Sequence, residues 1–426
     1  MLDSGMAYRR RIVDDVLDDV FGDLAAVALE GAKGVGKTAT ATQRAASVLA
    51  LNRPQARLAV ADNVDVVTQL PGPVLIDEWQ LEPAVWDRVR RAVDDDPRGG
   101  QFLLAGSAGL GPRVRVHSGA GRIVSLPMRP LAFSERGLAA PTVSLRQLLV
   151  GNQAITGASG VGLAEYTDEI LRSGFPGIRD LPDRARNLQL DSYLARIVDR
   201  ELPEAGAAVR RPAALRAWLA AYAAATATDA TYATILDAAT PGKGERPARQ
   251  TAEVYREHLQ RIFVLDPIEA WVPVFAPLKR LTLAPKHHLV DPALAARLVG
   301  VGKSGLLQGD GPAARETNTW LGALFESLVA LSVRVYAQAA DARVGHLRTK
   351  NTEHEVDLIV EAGDRSVVAI EVKLADAVRP ADVRHLNWLG EKLGPRLVDK
   401  VVVNTGSLAY RRPDGVAVVP LALLGP

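Results

Sequence analysis

The chain has 426 residues, of which 48% are hydrophobic, and its 51 basic and 49 acidic side chains leave a net charge of +2. At roughly 100–200 residues per domain this length predicts about three domains, and a charge so near neutral neither demands nor excludes a polyanionic partner. Cysteine is absent, which excludes disulfides, thiolate zinc sites and a thiol nucleophile.

At the N-terminus, Arg9–Arg11 precede an acid-rich stretch with no uninterrupted apolar run, a pattern unlike a secretory leader. No run approaches about 18 consecutive apolar residues, so a cytoplasmic protein with no membrane partner is expected. Asp14, Asp15, Asp18 and Asp19 fall at helical spacing and read as a solvated face.

From residue 25 to 126 short apolar runs alternate with loops and helical periods, the rhythm of an α/β domain with a parallel sheet. Strands are predicted at Ala25–Leu29, Leu58–Ala61, Val74–Ile76, Phe102–Ala105 and Ile123–Leu126, all apolar on both sides as buried parallel strands are. Val85, Val89, Ala92 and Val93 share one helix face. Residues 141–285 carry Ala/Leu/Arg helical patterns, and Leu215–Leu265 has the order of a winged-helix module. The remainder returns to mixed α/β. The predicted division is therefore 1–140, 141–285 and 286–426.

The first constellation lies between a predicted strand and a predicted helix. Gly31, Ala32, Lys33, Gly34, Val35, Gly36, Lys37 and Thr38 match the eight-position phosphate-loop pattern. Backbone N–H groups of such a loop wrap a polyphosphate, the lysine holds the terminal phosphates and the hydroxyl meets Mg²⁺. The run Pro73–Glu78 then ends an apolar strand in two acids, so that Asp77 can anchor Mg²⁺ and Glu78 can polarise water. Phe102–Ala105 leads through Gly106 to Ser107, a candidate sensor of the γ-phosphate. Arg113, Arg115 and Arg122 follow as candidates to neutralise transition-state charge, in cis or across a subunit contact in a homo-oligomer, and Arg122 is favoured. ATP and Mg²⁺ are the expected ligands.

With Gly31–Thr38, the runs 75–80 and 102–107 and the Ala-Gly-Arg at 120–122, the chain resembles a widespread prokaryotic family of AAA-type ATPases carrying a poorly characterised C-terminal domain. The resemblance continues through 193–200, 289–294 and 324–326. It implies a P-loop AAA-type parallel sheet of order 5-1-4-3-2, then a helical and winged-helix region, then a restriction-endonuclease-like domain. It implies little about biological role. One departure is Lys286-His287-His288, where the family commonly has aromatic residues; the two histidines read as surface or packing residues.

A second constellation fits the last of these domains. Asp357 on one predicted strand, with Glu371 and Lys373 on the next, forms the Asp…Glu-x-Lys arrangement of the PD-(D/E)xK nuclease fold. Alternate strand residues share a face, so Glu371 and Lys373 project together. Glu326, among small and apolar helix neighbours, adds a third carboxylate. Such a set would hold a second Mg²⁺ or a Mn²⁺ at Glu326, Asp357 and Glu371 and use it in hydrolysis. In the middle region, residues 205–290 carry eleven basic and seven acidic side chains. Lys243, Arg246, Arg249 and Arg256, with Gln250, Thr251 and Tyr255, are placed to meet DNA or RNA.

The leading expectation is a Mg-dependent ATP-hydrolysing ATPase coupled to a nuclease-like, nucleic-acid-binding C-terminal domain. Two alternatives are an ATP-regulated metal-dependent nuclease, toxin-like or a defence component, and a nucleotide-dependent switch that docks a small protein partner while its nuclease-like domain is idle.

Overall fold

The computed structural model describes residues 8–106, 119–151, 153–204, 206–207, 209, 211–239, 249–272, 284–308, 314–349 and 353–426. They form two compact units. The first draws its described residues from 1–129, 200–208 and 258–263, and the second from 130–199, 209–257 and 264–426.

The first unit is built on a five-stranded sheet of strands β1 (Ala26–Glu30), β2 (Ser47–Ala50), β3 (Val74–Asp77), β4 (Phe102–Gly106) and β5 (Ile123–Pro127). Every pairing is parallel and the order is β2-β3-β4-β1-β5. Along the middle of the sheet Ala28 pairs with Leu104 on one side and Ser125 on the other, and Leu104 pairs in turn with Ile76. One face is sealed by the helix Ala84–Asp95, whose Val85, Trp86, Val89 and Val93 are buried. Trp79 packs its ring 4.5 Å from that of Trp86, and both join Ile76 and Leu104 in one core. Each such side chain removed from water contributes about 1.5–3 kcal/mol.

One strand falls elsewhere than expected. Leu58–Ala61 lies in the helix Pro54–Asp62, and Leu58 is 70% exposed. The second strand is Ser47–Ala50, in a stretch whose apolar positions read as a continuation of the preceding helix. That helix stops at Thr42. It carries threonine at 38, 40 and 42, which crowds its turns, and the backbone N–H groups of Ala46 and Ser47 turn to the Pro73 carbonyl, starting the pairing with β3. Pro54 then opens the next helix from its first turn, where its missing N–H costs nothing. The predicted acidic face near the N-terminus is only partly solvated: Asp14 is buried, accepting from Arg44 at 2.7 Å and from the Arg11 backbone at 2.7 Å.

In the second unit β6 (Val143–Ser144) pairs with β13 (Leu424–Gly425), joining sequence-distant ends of the unit. The main sheet consists of β7 (Arg343–Arg348), β8 (Glu355–Glu361), β9 (Val367–Lys373), β10 (Leu397–Asn404), β11 (Tyr410–Arg411) and β12 (Ala417–Pro420), in the order β11-β12-β10-β9-β8-β7. β7, β8 and β9 form an antiparallel meander, while β9, β10 and β12 run parallel. The sheet is therefore mixed. Its core draws on Val367, Ala369 and Val402 and on Leu386, Leu389 and Leu393 of the helix Arg384–Leu393.

Helices fill the rest of this unit, among them Pro212–Ala224, Tyr232–Ala238 and Pro292–Val299, with the long helix Ala314–Ala339. Within the last, Trp320–Ala339 is long and apolar enough to cross a membrane by length and composition, but 72% of it is buried, as suits a core helix.

Candidate functional site

The phosphate-loop residues sit where β1 gives way to the helix Lys37–Thr42. Gly34 and Gly36 have φ of 85° and 106°, a left-handed backbone that favours glycine. Gly31 is required by close approach, because a Cβ there would lie 2.1 Å from the Met128 carbonyl oxygen. Met128 is itself fixed by donating its N–H to the Glu30 carbonyl at 2.6 Å.

Lys37 is buried, and its Nζ donates to the loop's own carbonyls at Gly31 (2.7 Å) and Ala32 (3.0 Å). Burial pulls its pKa down to about 8, against the pull of Glu78 and Asp77. Thr38 Oγ1 donates to Asp77 Oδ1 at 2.7 Å. The end of β3 is thus brought against the first turn of the helix after the loop. Burial raises the Asp77 carboxyl above its ordinary range. Thr38 and Asp77 offer adjacent hard oxygen donors, a partial set that fits Mg²⁺, which takes one or two protein ligands and completes its shell with water and phosphate oxygens.

Glu78 adopts a left-handed conformation, φ 54° and ψ 43°, uncommon for a residue with a side chain. Its Oε2 accepts from Gln80 Nε2. Gly106, at the end of β4, passes so close that a Cβ would meet Trp79 Nε1 at 2.6 Å and Gln80 Oε1 at 2.9 Å. The parallel register places Glu30, Asp77 and Gly106 at one edge of the sheet, the carboxyl ends of the strands, where α/β sheets bind ligands. Lys33 Nζ lies 2.8 Å from Glu201 Oε1, an acid that no sequence pattern marks.

Arg122 stands elsewhere. It immediately precedes β5, whose first residue Ile123 pairs with Ala26 at the amino ends of the strands. At about 3.3 Å per residue that is roughly 16 Å from the phosphate-loop edge, and its Nε is 2.7 Å from Asp94 Oδ1. A role for Arg122 in cis is therefore excluded by the direction of β5. Ser107, Arg113 and Arg115 lie outside the described residues.

The second constellation converges as the strand pattern predicts, with a cation that the pattern did not assign. The register Leu358↔Ile370 brings Asp357 level with Glu371 across β8 and β9. Lys286 Nζ lies among three carboxylates: 2.8 Å from Glu326 Oε1, 2.9 Å from Asp357 Oδ1 and 3.2 Å from Glu355 Oε1. Asp357 Oδ2 accepts the Val372 N–H at 2.9 Å. Glu371 Oε1 accepts from Lys373 Nζ at 2.7 Å, while Glu371 Oε2, buried, has no partner among the described residues.

Burial raises Glu371 to about 8 and Glu326 to about 7, and the Asp357 charge adds to both shifts. Burial would raise Asp357 too, but Lys286 and Lys373 outweigh it and hold this carboxyl below its usual range. The metal set expected at Glu326, Asp357 and Glu371 does not fit this arrangement. Among the described residues no three His, Asp or Glu side chains are grouped to hold a metal ion, and the ammonium of Lys286 stands between the first two. Lys286 belonged to the run that departs from the resemblance, and it is one of only ten lysines in the chain; those were the signals that could have found it.

In the middle region Lys243 and Arg246 lie outside the described residues. Tyr255 is 3% exposed and so packs inward rather than toward a ligand, and the Arg256 guanidinium sits 4.4 Å over the Tyr232 ring. His287 and His288 are both buried, His287 edge-on to Tyr222 and Tyr232, which corrects the surface half of their reading.

Residues 24–137 match a family model described as an AAA domain, a nucleotide-binding ATPase-type domain. Residues 163–305 and 321–424 match two domains of unknown function, DUF8612 and DUF4143. The chain is also similar to uncharacterised proteins of Mycobacterium tuberculosis and Mycobacterium bovis. Each is 29% identical over 314 residues, covering 72% of this chain and 60% of the relative. The chain thus spans about 60% of the length of the curated relatives it matches.

Proposed function

We propose that the first unit is a magnesium-dependent ATPase whose nucleotide state acts on the helical and C-terminal parts of the chain. The observation that carries this reading is the 2.7 Å contact between Thr38 Oγ1 and Asp77 Oδ1, directly beside the glycine-rich loop.

In this reading the loop amides of Gly31–Gly36 wrap the β- and γ-phosphates, and Lys37 exchanges its two loop carbonyls for phosphate oxygens. A cation tied to carbonyls alone gains a charged partner by that exchange. Thr38 and Asp77 would hold Mg²⁺, which when bound neutralises phosphate charge during transfer. Glu78, at the left-handed turn after β3, orients the attacking water, and Gln80 positions the Glu78 carboxylate. Ser107 is proposed to report on the γ-phosphate. The position of Arg122 allows it to serve only another copy of the chain, so a finger role for it goes with a homo-oligomer. Replacing Asp77 by Asn tests the magnesium assignment. Mg²⁺ should raise ATP turnover strongly in the parent chain and weakly in Asp77→Asn; an equal dependence in both would remove Asp77 from the site.

For the C-terminal domain, a nuclease-like fold coupled to DNA or RNA stays within the proposal, with the middle helices as a winged-helix contact. One observation favours the alternative of an idle nuclease-like domain that serves a small protein partner: an ammonium, not a pair of open carboxylates, occupies the centre of its acidic cluster. Nuclease assays with Mg²⁺ and Mn²⁺ on DNA and RNA decide between them, and cleavage lost in Asp357→Ala would restore the nuclease reading.

A further inference from the structure

The carboxylates of the C-terminal cluster are those expected to share a divalent ion, yet most of the oxygens that would hold it are already committed, Glu326 Oε1 among them, while Glu371 Oε2 has no partner among the described residues. Asp357 gives one oxygen to Lys286 and the other to the Val372 N–H, and Glu371 gives one to Lys373. An ammonium has three N–H donors. Those of Lys286 face three acids at 2.8, 2.9 and 3.2 Å, so none is left over.

Lys286 is also held from behind. Its backbone N–H donates to the Ile268 carbonyl at 2.8 Å and its carbonyl accepts from Ile268 at 2.9 Å, and the side chain is 2% exposed. Such a residue does not swing aside on the surface. The choice of lysine matters in a chain that otherwise uses arginine for four of every five basic positions. A guanidinium is a planar fork suited to one carboxylate, whereas an ammonium is a compact point charge around which several can gather, as they do around a metal ion.

We infer that Lys286 is the built-in cation of this site, standing in place of a divalent metal and excluding it, and that its removal leaves Glu326, Glu355 and Asp357, whose oxygens now converge on its ammonium, as a divalent-cation site. The inference rests on the reading of the C-terminal domain as an idle nuclease-like fold, and is independent of ATP hydrolysis.

Mn²⁺ binding to the full chain without nucleotide tests it, by calorimetry and by the loss of the free-ion electron paramagnetic resonance signal. An Asp77→Asn background removes the proposed first-unit metal ligand. That parent should show no Mn²⁺ binding that Asp357→Asn abolishes, whereas Lys286→Met should gain one equivalent of Mn²⁺ that Asp357→Asn takes away. If Lys286→Met does not fold by itself, Mn²⁺ should restore its cooperative melt. Binding by the parent that depends on Asp357 would overturn both the inference and the idle reading. A folded Lys286→Met that takes up no Mn²⁺, or an unfolded one that Mn²⁺ leaves unfolded, would overturn the inference alone.

Discussion

Replacing Lys286 by Met keeps an unbranched side chain, one atom shorter, and removes its charge. Glu326, 15% exposed, and Asp357, 11% exposed, then face each other without a cation between them. Breaking a buried ion pair from one side costs about 3–5 kcal/mol, because the partner is left charged or must take up a proton. Glu355 is 38% exposed and can turn to water, so its share is small. The full cost therefore falls on two carboxylates. Because the chain has two units and need not unfold in one step, the local measure is amide hydrogen exchange in β8 and β9. At about 1.4 kcal/mol per factor of ten, exchange there should speed by roughly a hundred- to several-thousand-fold. Adding Glu326→Gln should recover a large part of the loss, since one orphaned charge goes with the lysine. An acceleration under threefold in Lys286→Met would show that the ammonium does not hold the cluster together.

Three further outcomes follow from the same geometry. Gly31→Ala drives a Cβ to 2.1 Å from the backbone oxygen of Met128, so the loop must shift; binding of a fluorescent ATP analogue should weaken at least about tenfold, equivalent to about 1.4 kcal/mol. Glu78→Gln keeps the shape of the turn but removes the carboxylate proposed to orient water, and should retain ATP binding while lowering turnover about 10²- to 10⁴-fold; near-normal turnover in single-mixing kinetics would reassign that role. Glu371 has its folded pKa raised to about 8 from 4.5. The folded state then holds a proton that the unfolded chain releases, so stability falls as pH rises from about 4.5 to about 8, by at most about 1.4 kcal/mol per pH unit for one proton. Glu371→Gln should flatten that slope in exchange measurements across this window, and an unchanged slope would place the proton elsewhere.

The parallel sheet was readable because its strands are short, apolar runs ending in chemistry-bearing residues, and four of its five lie within a residue of their predicted bounds. The fifth was misplaced because a threonine-rich helix is cut short by pairing with β3, a tertiary choice that local periodicity does not contain. At the phosphate loop the spacing of glycines carried the geometry, and Thr38 meets Asp77 across a fold that spacing alone does not draw. Glu201 beside Lys33 was invisible, since it lies 168 positions away with no pattern joining them. At the second cluster the alternation of Asp357, Glu371 and Lys373 was legible, but the cation was not. Lys286 arrives from outside the strand pair, through a bridge to Ile268 that no motif records.

The first unit is proposed to be a nucleotide-hydrolysing machine in which Lys37 grips the terminal phosphates. Steady-state ATP hydrolysis by the full chain with Mg²⁺, compared with Lys37→Ala, addresses this most directly. Turnover in the parent chain that falls by at least a hundredfold in the variant, with its melt preserved, is the predicted result. Equal turnover in the two proteins would contradict it.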